Sequence, residues 1–415
     1  MKKLPGLFAG LLSCLLSTGA AAQTKPLSTE EKVYGLSKFW QEANYNYAYF
    51  SNVPKLNFDS LYTAYIPKVI AAETDYEYYR HLQRFCASLK DGHTYIMWPK
   101  YLNEQLVQPQ IEFTRVGNEL YVTNTGIQFQ KEIPVGSKVL AVNNTETLEY
   151  LNEEVYPYFT ASTEHILLNT GAKTLLKGQK GTKVTLNIQK PGKKTATVEI
   201  TRSDDRLAWV KPMPAAPPIV TFKMLDKNTG MLALNSFANE KVLSEFKEKL
   251  PELRKCKALV LDLRNNNGGI STYAYEIVKH FTQQPQFVTL ASSTRKHLSD
   301  RKATAALSDT SLTNYFGLSP FKVDESYMPY LHGNVWETAP IDTVKNNVTE
   351  PKLLMPVAIL TSNKTVSAAE DFLIAMENVN RGVRIGQPTK GSTGQPYFFR
   401  LPGGGFAAIC TRRNT

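Results

Sequence analysis

The 415-residue chain is too long for one hydrophobic core, so two or three domains are expected. With 42% hydrophobic and 20% charged residues, its composition excludes wholesale disorder. The formal charge of +11 comes from scattered Lys and Arg without a long basic run, which reads as a solvated surface and not as a nucleic-acid site.

Residues 1–22 have the three parts of a secretory signal: Lys2 and Lys3, an apolar run from Leu7 to Leu16, and small residues at Ala20-Ala21-Ala22. Export to the periplasm or beyond is expected, with a mature chain starting at Gln23 and carrying +9 once Lys2 and Lys3 are removed. Lipoprotein processing at Leu11-Leu12-Ser13-Cys14 is the weaker alternative, because Leu12 is bulky and the apolar run continues past Cys14. No later segment is long and apolar enough for a membrane helix. Cys86, Cys256 and Cys410 would remain after cleavage, and an odd, widely spaced set forms neither a disulfide framework nor a metal site. One bridge or three buried thiols both fit.

Residues 27–100 read as helical. Thr29-Glu30-Glu31 starts a first helix, and Phe58, Leu61, Tyr65 and Ile66 stripe a second. Tyr78, Leu82, Phe85 and Leu89 stripe a third, which ends at Leu89-Lys-Asp-Gly-His-Thr94. Gly92 is the expected left-handed stop, leaving His93 on a loop.

From 101 to 202 the pattern turns to strands. Ile111 and Phe113 alternate, a turn follows at Gly117-Asn118, and Val139 to Val142 runs into Asn143-Asn144. Residues 154–176 read as irregular to helical. Val184, Leu186 and Ile188 face Ala196, Val198 and Ile200 across Pro191-Gly192 as a hairpin. Residues 203–218, with Pro212, Pro214, Pro217 and Pro218, read as a linker.

The third domain, 219–415, has two strand–loop–helix units. Ala258 to Leu263 leads through Arg264-Asn-Asn-Asn-Gly-Gly269 into a helix over 272–281. Met355 to Leu360 leads through a polar turn into a helix over 368–379, with Ser367 at the joint. Such units imply an α/β layer with a parallel sheet, whose sites lie beyond the carboxyl ends of the strands. Residues 291–350 read as an insertion over the site or a surface excursion.

Ser367 has two readings. At a helix N-terminus its hydroxyl suits a nucleophile whose attack creates an oxyanion. Ser367-Ala-Ala-Glu370 is also a capping box that needs no function. A serine nucleophile needs a base, and the chain has six histidines, among which the post-turn loop favours His93 only modestly. Gly268 and Ala368 could supply oxyanion N–H groups, although the glycines also suit a plain tight turn.

Asp262-Leu-Arg-Asn-Asn-Asn-Gly-Gly269, Thr365-Val-Ser-Ala-Ala-Glu370 and Gly386-Gln-Pro-Thr-Lys-Gly391 together resemble the C-terminal processing peptidases of family S41. Leu89-Lys-Asp-Gly-His-Thr94 resembles the histidine motif of the tricorn-core and interphotoreceptor retinoid-binding branch. The resemblance implies a multidomain α/β chain: a helical N-terminal domain, a PDZ-like middle domain and a crotonase-like α/β catalytic domain. Members with a Ser–Lys dyad carry T-F-G-K-G after the serine helix. Here Ser392 stands at the dyad lysine's place and Lys390 at the aromatic one, which points towards His93 as base.

The implied activity is that of an exported serine endopeptidase acting on proteins or peptides without metal or cofactor. Ser367 would be the nucleophile, His93 the base, Gly268 and Ala368 the backbone oxyanion donors, and Thr94 and Ser392 supporting groups. The branch's serine beside its histidine is replaced by Gly92 and Thr94, and the Thr94 hydroxyl is the expected substitute. The branch's downstream glutamate is expected beyond residue 415, leaving the catalytic domain C-terminally incomplete. The PDZ-like domain would bind a peptide as an added strand. The alternative is an inactive peptide- or apolar-ligand-binding protein on the same fold.

Overall fold

The computed structural model describes residues 25–308, 310–311 and 322–414; the expected signal segment and Cys14 lie outside them. Three hydrophobic cores are present, and the way they draw on distant parts of the chain positions the site.

The N-terminal helices are α1 (Thr29–Asn46), α2 (Phe58–Ala71) and α3 (Asp75–Ala87). Capping boxes start α1 at Ser28/Glu31 and α3 at Thr74/Glu77, satisfying otherwise orphaned amides. After α3 the left-handed residue is Lys90 (φ 52°), not Gly92 as expected. Gly92 is needed for another reason: a Cβ there would come within 3.0 Å of Ser392 Oγ. His93 follows, and then β1 (Tyr95–Met97).

The middle region contains β2 (Ile111–Val116), β3 (Glu119–Thr125), β4 (Lys138–Val142), β5 (Lys183–Gln189) and β6 (Thr195–Thr201) in one antiparallel sheet. The β5–β6 hairpin has the expected register, with Val184 opposite Ile200 and Ile188 opposite Ala196. Its turn closes with Lys193 N–H donating to Lys190 O at 3.0 Å around Pro191-Gly192, where Gly192 (φ 87°) supplies the left-handed backbone.

The third region is built on a five-stranded sheet ordered β7-β8-β9-β10-β11: Val220–Met224, Thr229–Leu234, Ala258–Asp262, Val357–Thr361 and Val383–Gly386. The β8/β9, β9/β10 and β10/β11 pairs are parallel, as the paired strand–loop–helix units implied. The antiparallel edge strand β7 falls just after the expected linker and was not read from the sequence. Helices α4 (Lys241–Leu253), α5 (Ser271–Val278) and α6 (Ala368–Asn378) contribute to the core of this sheet. Phe372, Leu373 and Met376 of α6 are buried there, each contributing roughly 1.5–3 kcal/mol by burial.

The helical core is not a purely N-terminal unit. Strands β12 (Pro396–Arg400) and β13 (Phe406–Cys410) supply Phe399, Ala407 and Ile409 to it. β1 pairs antiparallel with β13, Ile96 facing Ala407. This ladder ties the histidine loop to the segment following the serine helix. The described part of 291–350 pairs through Ser292–Thr294 with Arg412–Asn414, and Arg295 Nη1 donates to Asn44 O at 2.5 Å, on the helical side of the molecule. Cys86, Cys256 and Cys410 are buried free thiols. Among the described residues no helix is long and apolar enough to cross a membrane.

Candidate active site

Both loops at the carboxyl ends of β9 and β10 meet, as the parallel-sheet reading required. Ser362 Oγ donates to Arg264 O at 2.6 Å, Thr365 Oγ1 to Leu263 O at 2.9 Å, and Val366 N–H to Asn266 O at 3.2 Å. Asp262 and Arg264 pair in a fork, with contacts of 2.9 and 2.7 Å. Burial would raise the Asp262 pKa, but Arg264 overrides it and holds the carboxyl below its usual range.

Ser367 caps α6 with φ 57° and ψ −125°. The capping box with Glu370 forms, and the Ser367 N–H donates to Glu370 Oε2 at 3.0 Å. Capping does not require that backbone. The other two capping-box residues among the described residues, Ser28 and Thr74, are extended at φ −70° and −122°. A β-carbon at positive φ with extended-like ψ is strained, and such strain persists only where the surroundings over-determine it. Gly268 (φ 84°) sits directly against the serine: a Cβ there would lie 2.5 Å from Val366 O and 2.8 Å from Ser367 Cβ.

Of the two expected oxyanion donors, the Ala368 N–H starts α6 without an acceptor among the described residues. The Gly268 N–H is held by Asn266 Oδ1 at 2.9 Å, and Asn266 itself is anchored to Leu234 O at 2.9 Å.

The loop 389–392 lies between serine and histidine. The Ser367 N–H also reaches Ser392 O at 3.1 Å, and Ser392 Oγ makes a short hydrogen bond to His93 Nδ1. Ser392, which stands at the dyad lysine's place, is therefore joined to both candidate residues. Glu370 organises this loop by accepting from Thr389 Oγ1 (2.6 Å), Gly391 N–H (2.8 Å) and Ser392 N–H (3.1 Å). Burial raises its pKa, and these hydrogen bonds oppose the rise.

His93 is held from beneath by Asp91, a buried carboxylate. Asp91 accepts from Thr94 Oγ1 at 2.6 Å, Ser162 Oγ at 3.0 Å and the His93 N–H at 3.3 Å. Thr94, expected to orient the ring, spends its hydroxyl elsewhere. Its hydroxyl serves Asp91 and accepts the Cys410 N–H at 3.0 Å, so it braces the turn against β13. Burial lowers the His93 pKa below 6.5; Asp91 and Asp371 oppose this, and Lys390 adds to it.

Sequence reasoning read Asp91 only as a turn residue and missed Ser162. The middle region reaches the site through Ser162 to His165: Ser162 Oγ accepts the Gly92 N–H at 2.8 Å, Thr163 Oγ1 donates to Lys390 O at 3.2 Å, and His165 Nε2 bonds Thr389 O at 2.9 Å. No motif marks these residues. A cavity of about 340 Å³ opens onto Asp91, Ser162, Glu370 and Ser392. Among the described residues no group of three His, Cys, Asp or Glu could hold a metal ion.

Residues 228–413 match the model of peptidase family S41. Over those residues, which are under half of the chain, the protein resembles that family. It is 24% identical over 340 residues to a carboxyl-terminal-processing protease of Picosynechococcus, covering 80% of this chain and 67% of that one. It is 32% identical over 114 residues to the carboxy-terminal processing protease CtpB of Bacillus subtilis, 27% of this chain and 22% of that protein. The match thus spans about a fifth of one relative and two thirds of the other. Mature CPAF, solved with lactacystin, shares the fold, with a TM-score of 0.66 at 14% identity over 93% of this chain and 90% of that one. The match covers β9, β10, α6 and the loops around Ser367, while His93 and Ser162 come from outside it.

Proposed function

We propose that this chain is an exported serine endopeptidase of family S41, with Ser367 as nucleophile and His93 as general base. The observation that carries the reading is the double attachment of Ser392, whose carbonyl accepts the Ser367 N–H and whose hydroxyl bonds His93 Nδ1. The strained Ser367 backbone supports it, because capping alone leaves such residues extended.

In this mechanism His93 carries its proton on Nδ1, donated to Ser392 Oγ, which leaves Nε2 as the base. Burial keeps the imidazole neutral near neutral pH, ready to accept the Ser367 proton. Ser367 Oγ attacks the peptide carbonyl carbon, and the imidazolium then returns the proton to the leaving amine. The buried Asp91 favours the transient imidazolium at longer range, the part played by the acid of a triad. The Ala368 N–H is the first oxyanion donor. The Gly268 N–H joins it by exchanging Asn266 Oδ1 for the substrate oxygen. The tricorn-like assignment rests on His93 and on the absence of lysine at position 392.

The test is the Ser367→Ala chain against an unfolded protein substrate. Cleavage falls to background while circular dichroism and melting stay near the parent's. Unchanged turnover by a folded Ser367→Ala protein overturns the assignment.

A further inference from the structure

Asp371 lies in the first turn of α6, four residues after Ser367, and is 3% exposed. Its backbone N–H donates to Ser367 O at 3.0 Å, closing the first α-helical turn. Its carboxylate is in no ion pair among the described residues. A buried carboxylate without a cation is costly, so its hydrogen-bond donors carry the reason for its place. Oδ2 accepts from Ser271 Oγ at 2.5 Å, and Oδ1 from Thr393 Oγ1 at 2.7 Å. Thr393 Oγ1 accepts in turn from Asn414 Nδ2 at 3.0 Å.

Ser271 opens α5 directly after the Gly268-Gly269 loop. The other side of that loop is pinned to the chain just after β8: Phe237 N–H donates to Gly268 O and Ile270 N–H to Phe237 O, both at 2.9 Å. Thr393 directly follows Ser392, whose hydroxyl bonds His93 Nδ1. One carboxylate thus fastens the glycine loop and the histidine-bonded loop to the helix that starts at Ser367. Capping and packing do not call for it. Glu370 already completes the capping box, and an apolar side chain would fill the α5/α6 contact without the desolvation cost. The carboxylate also acts on the ring. Burial lowers the His93 pKa; of the charged groups facing it, Asp91 and Asp371 raise it and Lys390 lowers it further. On α5, Asp371 adds to the upward shift that burial gives the Tyr275 phenol.

We propose that Asp371 is a positioning residue of the peptidase site: through Ser271 and Thr393 it fixes the spacing between the oxyanion loop and the Ser392–His93 pair. Its charge favours the imidazolium that forms when Ser367 gives up its proton. The proposal rests on the peptidase reading, which says what the spacing is for.

The experiment compares Asp371→Asn, Thr393→Val and Thr393→Ser in the full chain, with circular dichroism and melting to confirm folding. Initial rates on one peptide substrate should show kcat lower by about tenfold in Asp371→Asn and Thr393→Val at little changed KM, and largely restored in Thr393→Ser. The acidic limb of kcat/KM and the NMR titration of His93 should both move to lower pH in Asp371→Asn, which loses the charge, and stay in place in Thr393→Val, which keeps it. The parent's kcat in folded Asp371→Asn or Thr393→Val, or an unmoved His93 titration in Asp371→Asn, overturns the proposal. If Asp371→Asn does not fold, Thr393→Val decides by the same kcat measurement. The titration needs no turnover, so a parent without cleavage would overturn the peptidase reading while the action of Asp371 on the ring is still read.

Discussion

Ser392 Oγ hydrogen-bonds His93 Nδ1 while the Ser392 carbonyl holds the Ser367 N–H at 3.1 Å, so a single residue sets the orientation of both candidate partners. Ser392→Ala removes the ring's partner and leaves the backbone contact. It should lower kcat about tenfold to a hundredfold with little change in KM, since general-base catalysis depends on ring orientation. Ser392→Thr, which keeps the hydroxyl, should restore part of the loss. Initial-rate kinetics on one peptide substrate checks both; an unaltered kcat in Ser392→Ala would remove Ser392 from the mechanism.

Because burial dominates the His93 shift, the acidic limb of kcat/KM should lie below pH 6.5, the ordinary histidine value. Asp91 pushes that pKa upward, so Asp91→Asn should move the limb to still lower pH. Rate profiles over pH, paired with NMR titration of His93, read the shift directly. A limb that stays in place in a folded Asp91→Asn protein would show that Asp91 does not act on the ring.

The sequence read the parallel strands, the serine joint and the glycine loop because each is local: a run of apolar residues, a turn and a helix start. Ser367-Ala-Ala-Glu370 was legible first as a cap and second as a nucleophile, and the positive φ of Ser367 is what no local pattern announced. The role of Asp91 was hidden because Asp-Gly is already explained as a turn. Ser162 was invisible because it lies in irregular chain and reaches Asp91 and Gly92 only through tertiary packing. The placement of β12 and β13 in the helical core was likewise beyond local pattern, since pairing across 309 to 313 residues leaves no periodicity to read.

Gly268→Ala should abolish activity and cost roughly 1–3 kcal/mol of stability. Its φ of 84° disfavours any β-carbon, and that carbon would press on Val366 O and Ser367 Cβ at 2.5 and 2.8 Å. Denaturant melts together with an activity assay check this. Full activity would mean that the glycine loop is not packed on the serine as described.

His280 is a separate pH-sensitive element packed beside the five-stranded sheet. It is 2% exposed, packs edge-on against Phe246 at 5.2 Å, and its Nδ1 has no partner. Burial brings its pKa down to about 4. The neutral ring is the form the fold accepts, so stability is full above the unfolded value of 6.5 and is lost as pH falls from there towards about 4. The loss amounts to about 3 kcal/mol by linkage. His280→Leu should flatten this part of the stability–pH curve measured by thermal melts. An unchanged acid slope would assign the effect elsewhere.

The central claim, that Ser367 is a nucleophile activated by His93, is tested most directly by labelling the folded chain with a serine-reactive fluorophosphonate and mapping the adduct by mass spectrometry. The account predicts one phosphonylated residue, Ser367, with labelling greatly slowed in His93→Ala and absent from Ser367→Ala. No adduct at Ser367 in the folded parent, or labelling there at the same rate without His93, would contradict it.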